Sequence, residues 1–221
     1  MRKIQEVANA NQCKLMICHV LRYAPFYRKA REIIDSGVLG EIMNMQSAER
    51  VGAFHSSVSY LRGKWADCGS SLLLAKCCHD IDLLCWFNNK TTPKTVYSNG
   101  GRDYFVPEKA PKGAERNLWI QGTKGEVEGE AGEGILKLYE YNKKTSGSKL
   151  TIFNFNETSG ETAGHFGGDR RLIDDFCALM EGEQPSVSCT SIDDSVWGHF
   201  ACYSADASQE TKEIVTIGSG K

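Results

Sequence analysis

Residues 116–142 have the sequence RNLWIQGTKGEVEGEAGEGILKLYEYN, in which short strand-like runs are separated by turn residues. The runs RNLWIQ, GEVEGE and GILKLYEYN contain alternating apolar positions, as expected for strands with one buried face. GTKGE, between the first two runs, is a hairpin signal. A further run, KLTIFNFN at 149–156, continues the pattern. The segment therefore predicts an antiparallel meander.

Segments with helical periodicity flank this predicted sheet. Pro25 in a first turn and an apolar stripe predict a helix over 25–36, which Gly37 ends. The other predicted helices cover 71–87, 169–182 and 191–208, and a further strand covers 41–51. Helices packed against one antiparallel sheet form an α+β domain. We expect an open, mainly antiparallel sheet with helices on one face.

The first twenty residues have a different organisation. RKIQEVANANQ has a helical pattern, and KLMICHV at 14–20 has the pattern of a short buried strand. A helix followed by an apolar strand is half of an α/β unit. We therefore expect this segment to form one helix and one strand of such a unit.

Bulk composition excludes several classes of function. The 221-residue chain is 41% hydrophobic and 24% charged, with a formal net charge of -2. This balance indicates a packed core without the basic surface that nucleic acid or an anionic membrane requires. No run approaches the roughly 18 to 20 apolar residues of a membrane span, and the start lacks a signal-peptide core. We expect a cytoplasmic protein with a small neutral or weakly charged partner.

The nine cysteines show no metal-binding or disulfide pattern. There is no CxxC pair, and the adjacent Cys77 and Cys78 point to different faces of a helix. We expect reduced, mostly buried thiols and no metal site.

The predicted helix at 72–87, LLLAKCCHDIDLLCWF, carries polar groups among its leucines. Residues three and four apart share a helix face, so Lys76, His79, Asp80 and Asp82 form a polar cluster. His79 can accept a hydroxyl proton near neutral pH, and the Lys76 ammonium can favour the resulting alkoxide. The structural alternative is a Lys76–Asp80 pair with His79 hydrogen-bonded in the core.

A second candidate is GHFGGDRR at 164–171. Its glycines allow close backbone approach before a helix whose N-terminus favours an oxygen-rich ligand, with His165 and Asp169 projecting from the turn. The alternative is a glycine-rich turn in which Asp169 caps the helix.

The loop at 52–70 contains aromatic and basic residues that more often line a site than connect elements. These residues are His55, Tyr60, Arg62 and Trp65. Trp65 could equally belong to the core. The chain contains no GxGxxG, P-loop, GxSxG or HExxH motif, so a complete nicotinamide site is not predicted.

Several phrases together resemble one family. HVLRYAPFYRKAREIIDSGVLGEI, HSSVSYLRGKW, LLLAKCCHDIDLLCWF, QGTKGEVEGE and GHFGGDRRLIDDF are similar, in order, to the second half of the Gfo/Idh/MocA oxidoreductases. The resemblance implies a Rossmann domain for NAD or NADP, followed by an α+β domain with the substrate pocket and oligomer contacts. It also implies hydride transfer from sugars or cyclitols, with His79 catalytic, Lys76 assisting, and Arg22 and the 52–65 loop near the substrate.

The resemblance also predicts the domain organisation. Residues 1–19 match the end of a Rossmann domain, and 20–221 match the substrate and oligomerisation domain. Ala75 stands where many members have an aspartate, and Lys76 follows it as a replacement. The sheet is expected to be shorter than in the family.

From this organisation we expect a chain that binds a sugar or polyol, is inactive alone and binds no cofactor itself. We also expect it to form homo-oligomers through the open sheet. A non-catalytic sugar-binding or self-association scaffold is the alternative, and part of an NAD-dependent glycosidase is a third possibility.

Overall fold

The computed structural model describes residues 2–52, 71–100, 115–142, 146–156 and 164–218. The helices are α1 (Arg2–Ala10), α2 (Pro25–Asp35), α3 (Cys78–Phe87), α4 (Gly168–Glu181) and α5 (Ile192–Thr211). The strands are β1 (Ile42–Arg50), β2 (Thr95–Val96), β3 (Glu115–Gly122), β4 (Gly125–Glu130), β5 (Ile135–Asn142), β6 (Gly147–Asn154) and β7 (Val215–Thr216). Shorter helical turns are the 3-10 helices Val20–Tyr23 and His165–Gly167 and the π-helix Leu73–Cys77.

The chain forms two compact units. The first comprises Met1–Ser47 and Asn117–Val196, and the second comprises Ala48–Arg116 and Trp197–Lys221. A five-stranded sheet in the order β1-β3-β4-β5-β6 belongs mostly to the first unit, and the β2-β7 pair belongs to the second. The α+β prediction is confirmed. The expected domain boundary after residue 19 stays a prediction.

The meander predicted at 116–142 is confirmed. β3, β4, β5 and β6 pair antiparallel in sequence order. Thr123 and Lys124 form the turn between β3 and β4, and their amides donate to the carbonyls of Glu41 and Leu39 at 2.9 and 2.8 Å. A side chain at Gly122 would place its Cβ 2.1 Å from the Leu39 carbonyl oxygen. The GTKGE sequence therefore provides both the turn and the space for the segment before β1.

One face of the sheet forms the core of the first unit. Ile120 on β3 pairs with Val127 on β4, which pairs with Leu138 on β5. The residues that alternate onto this face are all 7% exposed or less: Leu118, Ile120, Val127, Leu136 and Leu138. Phe26 of α2 covers the same face, because a Cβ at Gly129 would lie 2.9 Å from its ring. α2 therefore packs its apolar stripe on the sheet, as the sequence predicts.

The second unit packs α3 beside α5. A Cβ at Gly198 would lie 3.5 Å from the Asp82 Cα atom, so a small residue permits close approach of the two helices. Cys202 is fully buried and its thiol lies 3.7 Å from the Leu73 carbonyl oxygen. In the parts of the chain that the structure describes, no helix is both long and apolar enough to cross a membrane.

The segment after α1 differs from the prediction. Helix α1 is present, but the strand predicted at 14–20 does not form: residues 14–19 have no regular secondary structure, and Val20 begins a 3-10 helix. The Ile17 amide donates to the Thr190 carbonyl at 2.8 Å. A strand requires a ladder of such bonds with a neighbour. Among the described residues no strand lies alongside this segment, so its apolar pattern alone does not produce one.

Candidate functional site

The predicted helix at 71–87 begins with a widened turn. Leu73–Cys77 form a π-helix that continues into α3. Ser71 supports its start, because its hydroxyl accepts from the Leu74 amide at 3.1 Å and its carbonyl accepts from the Ala75 amide at 2.9 Å. π-Helical turns are rare and occur frequently at functional sites. Lys76 lies within the widened turn and His79 lies in the first turn after it.

Lys76 is part of a network of charged side chains within the second unit. Its Nζ atom lies 3.2 Å from Oε1 of Glu49, near the end of β1. The same carboxylate oxygen accepts from Nη2 of Arg116 on β3 at 2.5 Å. Nη1 of Arg116 also lies 2.8 Å from both carboxylate oxygens of Asp80. We call Glu49, Lys76, Asp80 and Arg116 the charge network.

The charge network is largely removed from solvent. The side chains of Glu49 and Arg116 are 8% and 9% exposed, and those of Asp80 and Lys76 are 11% and 17% exposed. Burial raises the pKa of the Glu49 carboxyl; Arg116 lowers it, Asp80 raises it and Lys76 lowers it, with a net rise. Buried charges of this kind are stable only when they are paired, which the two cations and two carboxylates achieve.

The predicted polar cluster on this helix is partly reorganised. Lys76 and Asp80 each bind a residue from a β-strand, so the simple i,i+4 pair does not describe the site. His79 is half-buried. Asp82 is 1% exposed and lies against Gly198 of α5. The cluster therefore contains Lys76 and Asp80, with His79 between them in sequence.

Glu49 and Arg116 were not predicted from the sequence. Arg116 alternates with the buried Leu118 and Ile120 along β3, so it occupies an inward position of the strand. Glu49 is more buried than Ala48 and Arg50 on either side of it. A charged residue at an inward strand position is the signal that could have identified both.

The second candidate, at 164–171, lies in the first unit. His165 Nδ1 lies 2.7 Å from Asp169 Oδ1, and both side chains are about half exposed. Gly164, His165, Phe166 and Gly167 all have positive φ, which is uncommon for the two residues other than glycine. Gly167, and not Asp169, is the residue before α4. Asp169 therefore binds His165 and does not cap the helix.

The remaining predicted site residues are Arg22 and the residues of the 52–70 loop. Arg22 is 2% exposed in the first unit, where its carbonyl accepts from the Ser188 hydroxyl at 2.8 Å. The loop residues His55, Tyr60, Arg62 and Trp65 lie outside the described residues. The structure therefore brings His165 and Asp169 together in one unit, and Lys76 and His79 near each other in the second. Among the residues that the structure describes, no His, Cys, Asp or Glu group is arranged to hold a metal.

The cysteines in the part of the chain that the structure describes are all free thiols. Cys202 is buried, and burial, followed by neighbouring thiols, raises its pKa to about 12. Cys13, Cys18 and Cys177 are exposed, so burial is less general than expected. Burial is also the main cause that raises the pKa of Cys77 to about 11, beside the charge network. These buried thiols are poor nucleophiles because the thiolate is disfavoured.

Comparison with protein families finds a match over part of the chain. The family model of the GFO/IDH/MocA C-terminal domain matches residues 27–115. This match covers 89 of the 221 residues, so the similarity to that domain extends over part of the chain. The matched GFO/IDH/MocA region includes Glu49, Lys76 and His79, and it ends one residue before Arg116.

A curated relative and several solved structures are also similar to this chain. YteT of Bacillus subtilis (strain 168), assigned as an oxidoreductase, is 23% identical over 107 residues, which are 48% of this chain and 25% of YteT. Scyllo-inositol dehydrogenase from Lactobacillus casei, solved with NAD(H) and scyllo-inositol, is 21% identical with a TM-score of 0.66. The fit covers 97% of this chain and 68% of that enzyme.

Two further structures share the fold of this chain. An oxidoreductase from Sinorhizobium meliloti has a TM-score of 0.72 at 15% identity, over 97% of this chain and 68% of that one. A super-repressor mutant of Gal80p from Saccharomyces cerevisiae has a TM-score of 0.69 at 15% identity, with the same coverage. At these identities the likeness shows the fold alone.

Proposed function

We propose that the chain is the substrate domain of an NAD(P)-dependent oxidoreductase that acts on a sugar or polyol. The observation that carries this proposal is the charge network at the widened start of α3, which holds a lysine ammonium three residues before a half-buried histidine. Both residues lie in the region matched by the GFO/IDH/MocA family model. The scyllo-inositol bound to the L. casei dehydrogenase supports a polyol as the substrate class.

In the proposed reaction this chain binds the polyol and moves the proton. His79 accepts the proton of the reacting hydroxyl, because a neutral imidazole is the side chain suited to this step near neutral pH. The Lys76 ammonium stabilises the alkoxide that develops on the same oxygen. The substrate contacts that the sequence predicts for Arg22, His165, Asp169 and the loop residues stay predictions.

The residues of this chain do not fit a bound dinucleotide. A dinucleotide requires a glycine-rich turn between a strand and a helix, and the sequence contains no GxGxxG. We therefore place NAD or NADP on a nucleotide-binding domain of the intact enzyme, where it would accept the hydride. The chain alone is expected to bind no cofactor and to be inactive.

The test is polyol-dependent formation of NADH or NADPH. The 221-residue chain alone should give no turnover, whereas the protein that includes a nucleotide-binding domain should oxidise scyllo-inositol or a related polyol. In that protein His79→Ala should lower kcat by about 10²- to 10⁴-fold, the usual contribution of a general base, with a smaller change in KM.

The matched control is His199→Ala, because His199 is also half-buried in the second unit but lies on α5. An equal loss of kcat in both variants, or none in His79→Ala, would contradict the proposed role. Turnover by the 221-residue chain alone would contradict the expected inactivity.

A second candidate function is a non-catalytic self-association scaffold. It is favoured by the open face of the sheet, where Leu150 and Ile152 of β6 are 47% and 56% exposed. The fold is also shared with Gal80p, which is a transcriptional regulator. This function requires the open face and does not require Lys76 or His79, so the variants above separate the two candidates.

A further inference from the structure

The charge network connects Lys76 back to its own helix. Lys76 and Asp80 are four residues apart, and both are joined to the strands: Lys76 through Glu49 and Asp80 through Arg116. Arg116 also contacts Glu49, so the network closes on itself. The start of α3 is therefore held at two points by residues from two neighbouring strands.

Glu49 is the member that contacts both cations. One carboxylate oxygen, Oε1, is shared by the Lys76 ammonium and the Arg116 guanidinium. The other oxygen, Oε2, is buried and has no hydrogen-bond partner among the residues that the structure describes. The guanidinium is planar and always charged, and its contact with both oxygens of Asp80 fixes its orientation. Arg116 therefore holds Glu49, and Glu49 in turn holds the ammonium.

The burial of the Lys76–Glu49 pair distinguishes it from an ion pair on the surface. Lys149 and Glu140, on β6 and β5, are 3.1 Å apart, but their side chains are 76% and 33% exposed. A lysine that is exposed in this way keeps many rotamers. Lys76, at 17% exposure and bound to a carboxylate at 8%, has far less freedom.

We propose that Glu49 is a positioning residue that fixes the Lys76 ammonium at the polyol site. This inference rests on the proposed function, because it assigns to Glu49 the task of placing a group that acts on the polyol oxygen. Glu49 touches no reacting atom and acts only through Lys76. Its charge and its length both matter, since a shorter or neutral side chain no longer holds the ammonium in place.

The experiment measures acetylation of individual lysines by acetic anhydride, using mass spectrometry on the 221-residue chain with and without scyllo-inositol. In the unaltered chain Lys76 should react slowly, and scyllo-inositol should slow it further. Glu49→Gln should raise the Lys76 rate by about tenfold, the factor that corresponds to one lost charge-assisted hydrogen bond, and should reduce the protection by scyllo-inositol. Glu49→Asp keeps the negative charge but moves it away from Lys76, so it should give a smaller increase in the Lys76 rate. This variant also tests the inference if Glu49→Gln does not fold.

The matched control is Glu140→Gln, which removes the partner of Lys149 and should change neither the Lys76 rate nor its protection. An unchanged Lys76 rate in the Glu49 variants would overturn the inference. A general rise at Lys149 and other lysines in both Glu49 variants would also overturn it, because loss of structure would then account for the faster reaction of Lys76. Lys76 in a Glu49 variant could react faster while scyllo-inositol still protects it to the same extent. The position of the ammonium would then not matter for polyol binding, and the inference would fail. Absence of protection in the unaltered chain would instead count against the proposed function, which separates the two failures.

Discussion

Glu49 combines burial with contact to two cations and proximity to a second carboxylate. Burial makes its charged form costly, Asp80 adds to that cost, and Arg116 and Lys76 reduce it. The net effect is a pKa above its ordinary value of 4.5. A carboxyl whose pKa is higher in the folded than in the unfolded protein binds protons more tightly when folded. Its contribution to stability is therefore complete below the unfolded pKa and decreases as the pH rises through the folded pKa.

The raised pKa of Glu49 predicts that the unaltered chain and Glu49→Gln differ in stability in a way that depends on pH. The difference in the free energy of unfolding between them should move in favour of the variant as the pH rises above about 4.5, because only the unaltered chain must ionise a buried carboxyl. Urea unfolding at several pH values measures this difference. Asn44→Ser, a change of an uncharged residue on the same strand, should show no such trend. A difference that moves in favour of the unaltered chain would contradict the raised pKa.

At the scale of the element, the end of α4 shows how local sequence and a distant side chain cooperate. Gly182 has φ of 85°, its amide donates to the Leu179 carbonyl at 3.3 Å, and the Glu183 amide donates to the Ala178 carbonyl at 2.9 Å. This pair of bonds is a Schellman motif, which favours glycine at the left-handed position. Lys14 adds a cation to the same helix end, because its ammonium donates to the Met180 carbonyl at 3.0 Å.

Gly182→Ala tests the cost of the left-handed conformation at the end of α4. A Cβ at this position meets nothing within 4 Å, so its cost is conformational and not steric with neighbours. We expect a loss of about 1 kcal/mol in the free energy of unfolding, measured by urea denaturation. Gly182→Asn should lose less, because asparagine tolerates the left-handed conformation better than alanine. Equal losses for the two variants would argue against this explanation.

At the scale of the whole molecule, the sheet has one covered and one open face. On the open face, Ile152 of β6 is opposite Lys137 of β5, which is opposite Glu128 of β4. Glu128 and Glu126 accept from the hydroxyls of Tyr139 and Tyr141, each at 3.1 Å. This surface combines exposed apolar groups with charges of both signs. A second copy of the chain could therefore cover it through apolar contact and complementary charge.

The whole-molecule prediction is that this open face mediates self-association. Ile152→Glu should shift the chain towards monomers in sedimentation velocity, because a charge would be buried in the apolar part of the contact. Ile214→Glu is the matched control, since Ile214 is 71% exposed but precedes β7 in the second unit. Oligomers that survive Ile152→Glu, or a chain that is monomeric without any change, would contradict the proposal.

Several elements could be predicted because their signals are local. The turn residues of GTKGE predicted the β3-β4 hairpin, and Pro25 and Gly37 predicted the limits of α2. The start of α5 is also local: the Ser191 hydroxyl accepts from the Asp194 amide at 3.2 Å, and the Asp194 carboxylate accepts from the Ser191 amide. The site was predicted only as far as the helix that carries Lys76 and His79.

The sequence by itself determined the helices, the meander and the placement of Lys76 and His79 in one helical segment, because periodicity and caps act over a few residues. The tertiary structure alone determined the partners of those residues. Arg116 is 67 positions from Glu49 and 36 from Asp80, and they meet because β1 lies beside β3 and α3 packs nearby. The apolar segment 14–20 illustrates the same limit, since a strand forms only where another strand supplies its hydrogen bonds. Local pattern fixes which face of an element is apolar, but which charge lies against which depends on contacts between elements distant in the chain.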